Sequence, residues 1–349
     1  MGFAACPSPV YHRTWLDRSS ATYFCIEGRC PLTLLIREED VRALLTPARA
    51  VELVETVFRY EAEGRAENRP RIRIPFPKGL FHSMSAVVTA ANSVGLKAYA
   101  SGSTGATFVV LLFDTQSSAL LAILEADWLG RMRTGAASGV ATRYMASEAA
   151  RTLGVIGSGR QAETQIDSIA AVRPLDHIKV FSRSVERREA LARSMSGRLD
   201  VNVSAVSTAQ EAVSESDIVV TITSSREPVV DGSWLANGCH VNAAGSNQPT
   251  RRELDASAVA RAGIVAVDSL QQARIESGDL ILAAAEGAFD WPNAVELSQI
   301  VSGSVKPDRS PGGISIFVSQ GIAIEDIMVA RDVYDRAVAA GRGQRIEFG

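Results

Sequence analysis

Residues 153–162 read Leu153-Gly-Val-Ile-Gly157-Ser-Gly159-Arg-Gln-Ala162. A short apolar run of strand length passes directly into Gly-x-Gly-x-x-Ala, and a helix-compatible segment follows. Gly157 permits a tight turn, Gly159 lets main chain approach a ligand, and Ala162 keeps the following helix close to the sheet. Free amide groups at the start of that helix form a cradle for a pyrophosphate. The spacing alone is a weak motif; its place between an apolar strand and a helix makes it a dinucleotide site. A triphosphate-type loop is disfavoured, since no Gly-x-x-x-x-Gly-Lys-[Ser/Thr] occurs. The candidate cofactor cradle is therefore Gly157, Ser158, Gly159, Arg160 and Gln161.

Downstream, strand and helix patterns alternate. Candidate strands lie at 153–156, 177–181, 201–205, 218–221, 240–243 and 264–267, and charged helical segments separate several of them. That alternation predicts an α/β fold with a Rossmann-type, doubly wound parallel sheet. The second strand ends Phe181-Ser182-Arg183-Ser184, with no carboxylate until Glu186. A carboxylate there would accept hydrogen bonds from ribose hydroxyls, whereas two serines and an arginine suit a 2′-phosphate. NADP(H) is the preferred cofactor, with NAD(H) the alternative. Thr221, Thr223 and Ser224 follow the strand at 218–221 and are expected to pass under the nicotinamide side. Small residues in Asn242-Ala-Ala-Gly-Ser-Asn247 allow main chain to approach a ligand.

Because the glycine motif is central, another domain must precede it. Short strand signals at 33–36, 71–75, 83–89, 95–101, 108–114 and 118–125, with helices near 37–45 and from Pro47, predict a smaller α+β domain. A helix rich in small residues follows, Arg133-Thr-Gly-Ala-Ala-Ser-Gly-Val-Ala. Gly135 and Gly139 weaken it by about 1 kcal/mol each, so close packing on another backbone is expected. The division read from the sequence is an extension at 1–31, a substrate-binding domain at 32–150, the dinucleotide domain at 151–315, and a C-terminal helix in 316–349 that returns to the first domain.

Length and charge agree. The 349 residues suffice for two domains, and a net charge of -3 gives no general pull toward nucleic acid. No apolar run reaches the ~18–20 residues of a membrane span. Cys6, Cys25, Cys30 and Cys239 form no CxxC and no zinc-spaced cluster, so no metal site is expected. Free thiols and the absence of a long apolar targeting core predict a cytoplasmic protein.

Three cations of the first domain are candidate substrate ligands. Lys97 sits in the mostly apolar strand Val-Gly-Leu-Lys-Ala-Tyr, where a buried ammonium is costly unless it meets an anion. Arg133 stands near the start of the small-residue helix, and Arg71 lies on an alternating strand beside the weaker candidate Arg73. Asp268 and Asp308 are read as cap or turn residues rather than cleft groups, and His82 and His240 as structural.

The chain resembles the ornithine cyclodeaminase/mu-crystallin family. The resemblance rests on Val94-Gly-Leu-Lys97, on Leu129 to Arg133 with Thr134-Gly-Ala-Ala-Ser138, on the glycine motif, on Val241-Asn-Ala-Ala-Gly-Ser-Asn247 with Arg252-Glu-Leu-Asp255, and on Gly312-Gly-Ile-Ser-Ile-Phe-Val-Ser-Gln-Gly-Ile-Ala-Ile-Glu-Asp326. It implies a Rossmann domain joined to a smaller domain that binds substrate and builds a homodimer. It also implies that Lys97 and Arg133 meet the substrate carboxylate or reacting centre, with Arg71 as the further arginine. Where the family's cyclodeaminases carry a proton-transferring aspartate, this chain has Asn247, which can hydrogen-bond but cannot act as a carboxylate base. The expected activity is therefore NAD(P)H-dependent reduction of a cyclic or linear α-imino acid, or the reverse amino-acid dehydrogenation. The alternatives are an ornithine-type cyclodeaminase with recycled NAD and a non-catalytic NADPH-binding protein.

Overall fold

A computed structural model describes residues 33–103, 105–307 and 312–347. The extension read over 1–31, with Cys6, Cys25 and Cys30, and also Asp308, lie outside the described residues. Two sheets organise the rest.

The parallel sheet has eight strands in the spatial order Asn202–Ala205, His177–Phe181, Thr152–Ile156, Ile218–Thr221, His240–Ala243, Ile314–Val318, Ala262–Val267 and Ala294–Glu296. Its inner strands read as continuous apolar runs because helices cover both faces; all four residues of Ile218–Thr221 are buried. From Thr152–Ile156 the chain steps outward to one edge, then crosses back to Ile218–Thr221 on the other side. The carboxyl ends of these strands thus flank a crevice at the point where the order reverses.

One expected boundary moves. The division at 315/316 would cut Ile314–Val318, which lies whole inside the parallel sheet, between His240–Ala243 and Ala262–Val267. All five of its residues are buried, as an inner strand requires. Only the helix Ala323–Ala340 and the strand Gln344–Ile346 leave this sheet; the helix packs into the first domain's core, and the strand pairs with Thr33–Ile36.

The other sheet is built mostly of antiparallel hairpins, with Gly79–Val88, Ser93–Gly102, Gly105–Asp114 and Leu120–Glu125 in succession. Thr33–Ile36 joins it parallel to Leu120–Glu125, and Ile72–Phe76 pairs with Gly79–Val88. Several of these strands begin earlier than the apolar signal, since ladder pairing continues past it to the Gly79–Gly102 and Gly102–Gly105 pairs.

The helix Asp127–Met145 joins the two halves. A methyl group on Gly135 would lie 2.3 Å from Thr164 O, and one on Gly139 would lie 2.8 Å from Ser168 O. Both atoms belong to the helix Ala162–Ala170 that follows the glycine motif. The two glycines therefore let the joining helix press backbone to backbone on the helix Ala162–Ala170, which fixes the antiparallel half against the parallel-sheet half.

Candidate active site

The glycine motif takes the geometry its residues demand. Gly157 has φ +122°, and a Cβ on it would lie 2.5 Å from Ile222 O. A Cβ on Gly159 would meet nothing within 4 Å, so the space above it is open to a ligand. Gly157 N donates to Phe181 O at 2.8 Å, which brings the ends of the first two strands together. Ser158 Oγ then lies 2.7 Å from Ser182 Oγ. These residues fit a dinucleotide: an open glycine turn, a buried Ala162 behind it, and polar groups at the end of the second strand.

That second strand end has three arginines. Arg183 is exposed, and Arg188 donates to Ser182 O at 3.0 Å while its guanidinium stands 5.6 Å from the Phe181 ring centroid. Neither pairs with a carboxylate among the described residues. Ser184 is partly committed elsewhere: its hydroxyl accepts from Arg187 N and contacts Glu186 Oε2 at 2.9 Å, capping the helix Val185–Leu199.

Thr221 does not face a ligand. It is fully buried, and its hydroxyl donates to Glu253 Oε2 at 2.8 Å. Its place as the last residue of an all-buried strand is the reason. Thr223 and Ser224 lie beyond the strand, half-buried and exposed.

Between the halves opens a cleft of about 340 Å³. Lys97, Arg133, Arg71 and Asn247 all line it, as do Arg160 and Gln161 of the glycine motif. Lys97 comes from the strand Ser93–Gly102 and Arg133 from the joining helix, whose first residue is Asp127. Both reach one carboxylate oxygen of the C-terminal helix: Lys97 Nζ to Asp326 Oδ1 is 2.9 Å and Arg133 Nε to the same oxygen 3.0 Å. Arg133 Nη1 also pairs with Glu325 Oε2 at 2.8 Å. Arg71 donates to Gln320 O and Gly321 O and pairs with Glu276 at 3.2 Å. Arg73 joins it on Glu276 and donates to Asn247 O at 2.8 Å.

Three cations thus face the cleft with Asp326, Glu325 and Glu276 behind them, each carboxylate at most 1% exposed. Lys97 gives one N–H to Asp326, and Arg133 Nη2 has no hydrogen-bond partner among the described residues. The remaining donors can receive a small anion and offset its desolvation with charge-assisted hydrogen bonds. Burial carries the Lys97 pKa down to about 8, with Arg133 and Arg71 adding to the fall and Asp326 opposing it. Glu325 is pushed up to about 8 by burial, against the pull of Arg133. A methyl on Gly321, which has φ +71°, would lie 2.2 Å from Arg133 Nη1, so this arginine passes flat against the main chain.

The wall opposite is aromatic, and most of it was not singled out in the sequence. His82 stacks on Tyr99 with centroids 4.1 Å apart, and Tyr99 stands 4.8 Å from Phe108. The strand register pairs Met84 with Lys97, His82 with Tyr99 and Leu80 with Ser101. Period-two counting from Lys97 along its own strand would have found Tyr99 and Ser101. His82, read as structural, lines this cleft. Its Nε2 lies 3.1 Å from Ser101 Oγ, and burial, then Arg73 and Arg71, hold its pKa down to about 4, so the ring is neutral near pH 7. Asp127 was also missed: it pairs with Arg131 and, across the domain junction, with Arg160, each at 2.6 Å.

The remaining candidates are committed to protein partners. Asp268 is buried and accepts from Gln320 N and Gly321 N at 2.7 and 2.6 Å, pinning the turn that Arg71 contacts. His240 is buried between Ser315 and Asn242. No group of three or more His, Cys, Asp or Glu among the described residues could hold a metal ion.

The model of the ornithine cyclodeaminase/mu-crystallin family matches residues 33–341. The chain belongs to this family. Among curated relatives, a Delta(1)-pyrroline-2-carboxylate reductase of Bacillus cereus is 39% identical over 241 residues, 69% of this chain and 74% of the relative. The alanine dehydrogenase of Archaeoglobus fulgidus is 32% identical over 324 residues, 90% of this chain and 98% of the relative. Among solved structures, the Thermococcus litoralis Delta(1)-pyrroline-2-carboxylate reductase in complex with NADH and L-proline superposes with a TM-score of 0.87 at 32% identity, covering 90% of this chain and 100% of that one. These similarities support NAD(P)-dependent oxidoreductase activity on imino or amino acids.

Proposed function

We propose that this protein reduces an α-imino acid to the amino acid with NADPH, and catalyses the reverse dehydrogenation when amino acid and oxidised cofactor are in excess. The observation that carries the reading is the convergence of Lys97, Arg133 and Arg71 on a cleft whose other wall includes Arg160 and Gln161 of the glycine motif. A dinucleotide held by that motif would supply its hydride to a carboxylate-bearing substrate gripped in the same cleft.

In this reading Arg133 and Arg71 grip the substrate carboxylate through fixed guanidinium donors. Dihydronicotinamide supplies a hydride to the imine carbon when bound. Lys97, with a pKa of about 8, stands protonated at neutral pH and gives a proton to the nitrogen as its double bond to carbon is reduced. Asn247 offers its amide to the substrate or the carboxamide. The apolar wall of Leu80, Met84, Tyr99 and Phe108 favours a small, uncharged side chain or a cyclic imine.

The relatives named as pyrroline-2-carboxylate reductases make pyrroline-2-carboxylate the first substrate to try, and the alanine dehydrogenase makes pyruvate with ammonia the second. Although the Thermococcus enzyme's structure is in complex with NADH, the end of the second strand here carries Ser182, Arg183 and Arg188 with no ribose-binding carboxylate, which supports NADPH over NADH. A cyclodeaminase reading has less support, because Asn247 stands in place of a carboxylate and Asp127, which lines the cleft, is already paired with two arginines.

A second copy of the chain is the expected partner. Ile72, Ile74 and Phe76 on one strand and Phe81 on its neighbour are 62%, 55%, 42% and 38% exposed, an apolar face opposite Arg73, which donates to Asn247 O of the cleft. Covering that face would stiffen the strand beside the substrate.

NADPH oxidation with pyrroline-2-carboxylate, and with pyruvate plus ammonia or methylamine, tests the proposal; turnover of at least one is expected. Tight NADPH binding with no turnover of any, and no change on Lys97→Ala, would favour the non-catalytic alternative. Proline released from ornithine without net change in cofactor absorbance would favour the cyclodeaminase.

A further inference from the structure

One buried carboxylate lies outside the cation cluster yet touches two of the loops at the cofactor's side of the cleft. Glu253 is fully buried. Its Oε1 accepts from Thr223 N at 2.6 Å, and its Oε2 accepts from Thr221 Oγ1 and from Gly245 N, both at 2.8 Å. The donors come from the ends of two neighbouring parallel strands, Ile218–Thr221 and His240–Ala243. Where they meet, a Cβ on Gly245 would lie 2.3 Å from Thr223 N, 2.4 Å from Thr223 O and 2.5 Å from Glu253 Oε1. Main chain therefore touches main chain with the carboxylate as the linking group.

The place of this clamp is informative. On one side, Ile222 N donates to Ile156 O at 2.9 Å, and Ile222 O is what a Cβ on Gly157 would strike. On the other, Ala244, Gly245, Ser246 and Asn247 line the substrate cleft. The two loops thus link the glycine turn to the cleft that holds the cations. The residue is itself held: Asp279 Oδ1 accepts from Glu253 N and Leu254 N at 2.7 and 2.9 Å.

We propose that Glu253 is a positioning residue that locks the 221–225 and 242–247 loops in one register, so that they seat the nicotinamide end of the cofactor beside Lys97. The proposal rests on the dinucleotide reading above. Burial and then Asp279 push the Glu253 pKa up to about 7, and the hydrogen bonds from Thr223 and Thr221 oppose that rise. Three donors and no acceptor face its carboxylate, so an acid fits the site and an amide does not: Glu253→Gln sets an NH2 group against an N–H or O–H donor and leaves at least one of the three unpaired. Its consequence is confined to the nicotinamide end, because residues 182–188, which would hold the adenine end, make no hydrogen bond to Glu253.

The test measures binding of NADPH and of 2′-phospho-ADP-ribose, which lacks the nicotinamide, to wild type, Glu253→Gln and Thr221→Val, alongside NADPH-dependent reduction. ADP-ribose and NADH serve as parallel probes in case the 2′-phosphate is not recognised. In Glu253→Gln the fragment should bind within about twofold of wild type, while the NADPH Kd rises by about tenfold, the equivalent of one lost hydrogen bond. The rate of reduction should fall by about a hundredfold, as small displacements of reacting groups do. Thr221→Val, which keeps the volume and deletes one donor, should show the same pattern at a few-fold. Equal weakening of fragment and intact cofactor, or no weakening of either, in a folded Glu253→Gln protein would overturn the proposal. If that variant does not fold, Thr221→Val decides, and unchanged NADPH affinity and rate would overturn it. A wild type that binds neither fragment nor dinucleotide would instead defeat the underlying cofactor reading, and the clamp's function with it.

Discussion

Replacing Asp326 by asparagine should move the pH dependence of reduction without removing any group that touches the substrate. Lys97 Nζ lies 2.9 Å from Asp326 Oδ1, and burial, the largest influence, carries the lysine down to about 8 despite that partner. A carboxylate within ~4–6 Å typically shifts a pKa by about 1–3 units. Asp326→Asn removes that support at constant shape, so the Lys97 pKa should fall to about 5–7. The sign follows from the chemistry: reduction needs the protonated lysine, and a lower pKa empties that form at lower pH. In wild type, kcat/KM should fall about tenfold per pH unit above about 8. In the variant the same limb should begin about 1–3 units earlier, leaving it roughly 5- to 500-fold slower at pH 8 and close to wild type in mild acid. Amino-acid oxidation needs the unprotonated lysine, so its rising limb should move to lower pH by the same amount. The assay is the pH profile of kcat/KM in both directions, with Glu325→Gln as the comparison. That change takes a partner from Arg133 but leaves the Lys97–Asp326 contact in place. An alkaline limb that does not move in Asp326→Asn, or that moves equally in Glu325→Gln, would refute Lys97 as the titrating group.

Other expectations follow from the same geometry. Arg183→Ala should weaken NADPH by about 10- to 100-fold, the range of a charge-assisted hydrogen bond, and leave NADH unchanged by titration of cofactor fluorescence. Ile74→Asp, at a 55% exposed apolar position, should convert a dimer to monomer in analytical ultracentrifugation; a wild type that sediments as a monomer would remove that expectation. Gly135→Ala should destabilise by about 1–3 kcal/mol in thermal or denaturant unfolding, because overpacking against Thr164 O outweighs the ~1 kcal/mol gain in helix propensity.

Much of the dinucleotide half could be read from sequence because its signals are local. Gly157, Gly159 and Ala162 announce a turn whose demands are steric, and apolar runs such as 218–221 announce buried parallel strands. The close approach expected at Gly135 and Gly139 was legible for the same reason, since a helix gives up propensity to glycine where space is short. Lys97 and Arg133 stood out as charges in apolar or small-residue surroundings. What could not be read were relations between distant segments. The anchoring pair Glu325–Asp326 lies 192 and 193 residues from Arg133, and nothing near either end predicts the meeting. His82 looked like an isolated strand histidine, because only the register that sets it on Tyr99 brings it to the cleft. Thr221 illustrates the converse: its position after a strand suggested a ligand contact, but a carboxylate 32 residues onward claims its hydroxyl. The boundary at 315 failed because Ile314–Val318 resembles a lone apolar strand until its two parallel neighbours are known.

A crystal structure of the protein with NADPH analogue and L-proline tests the central claim most directly. The account predicts the proline carboxylate within hydrogen-bond distance of Arg133 and Arg71, with Lys97 Nζ at the amine and the amino acid's α carbon facing C4 of the nicotinamide. A product carboxylate held elsewhere, with Lys97 turned away from the amine, would contradict it.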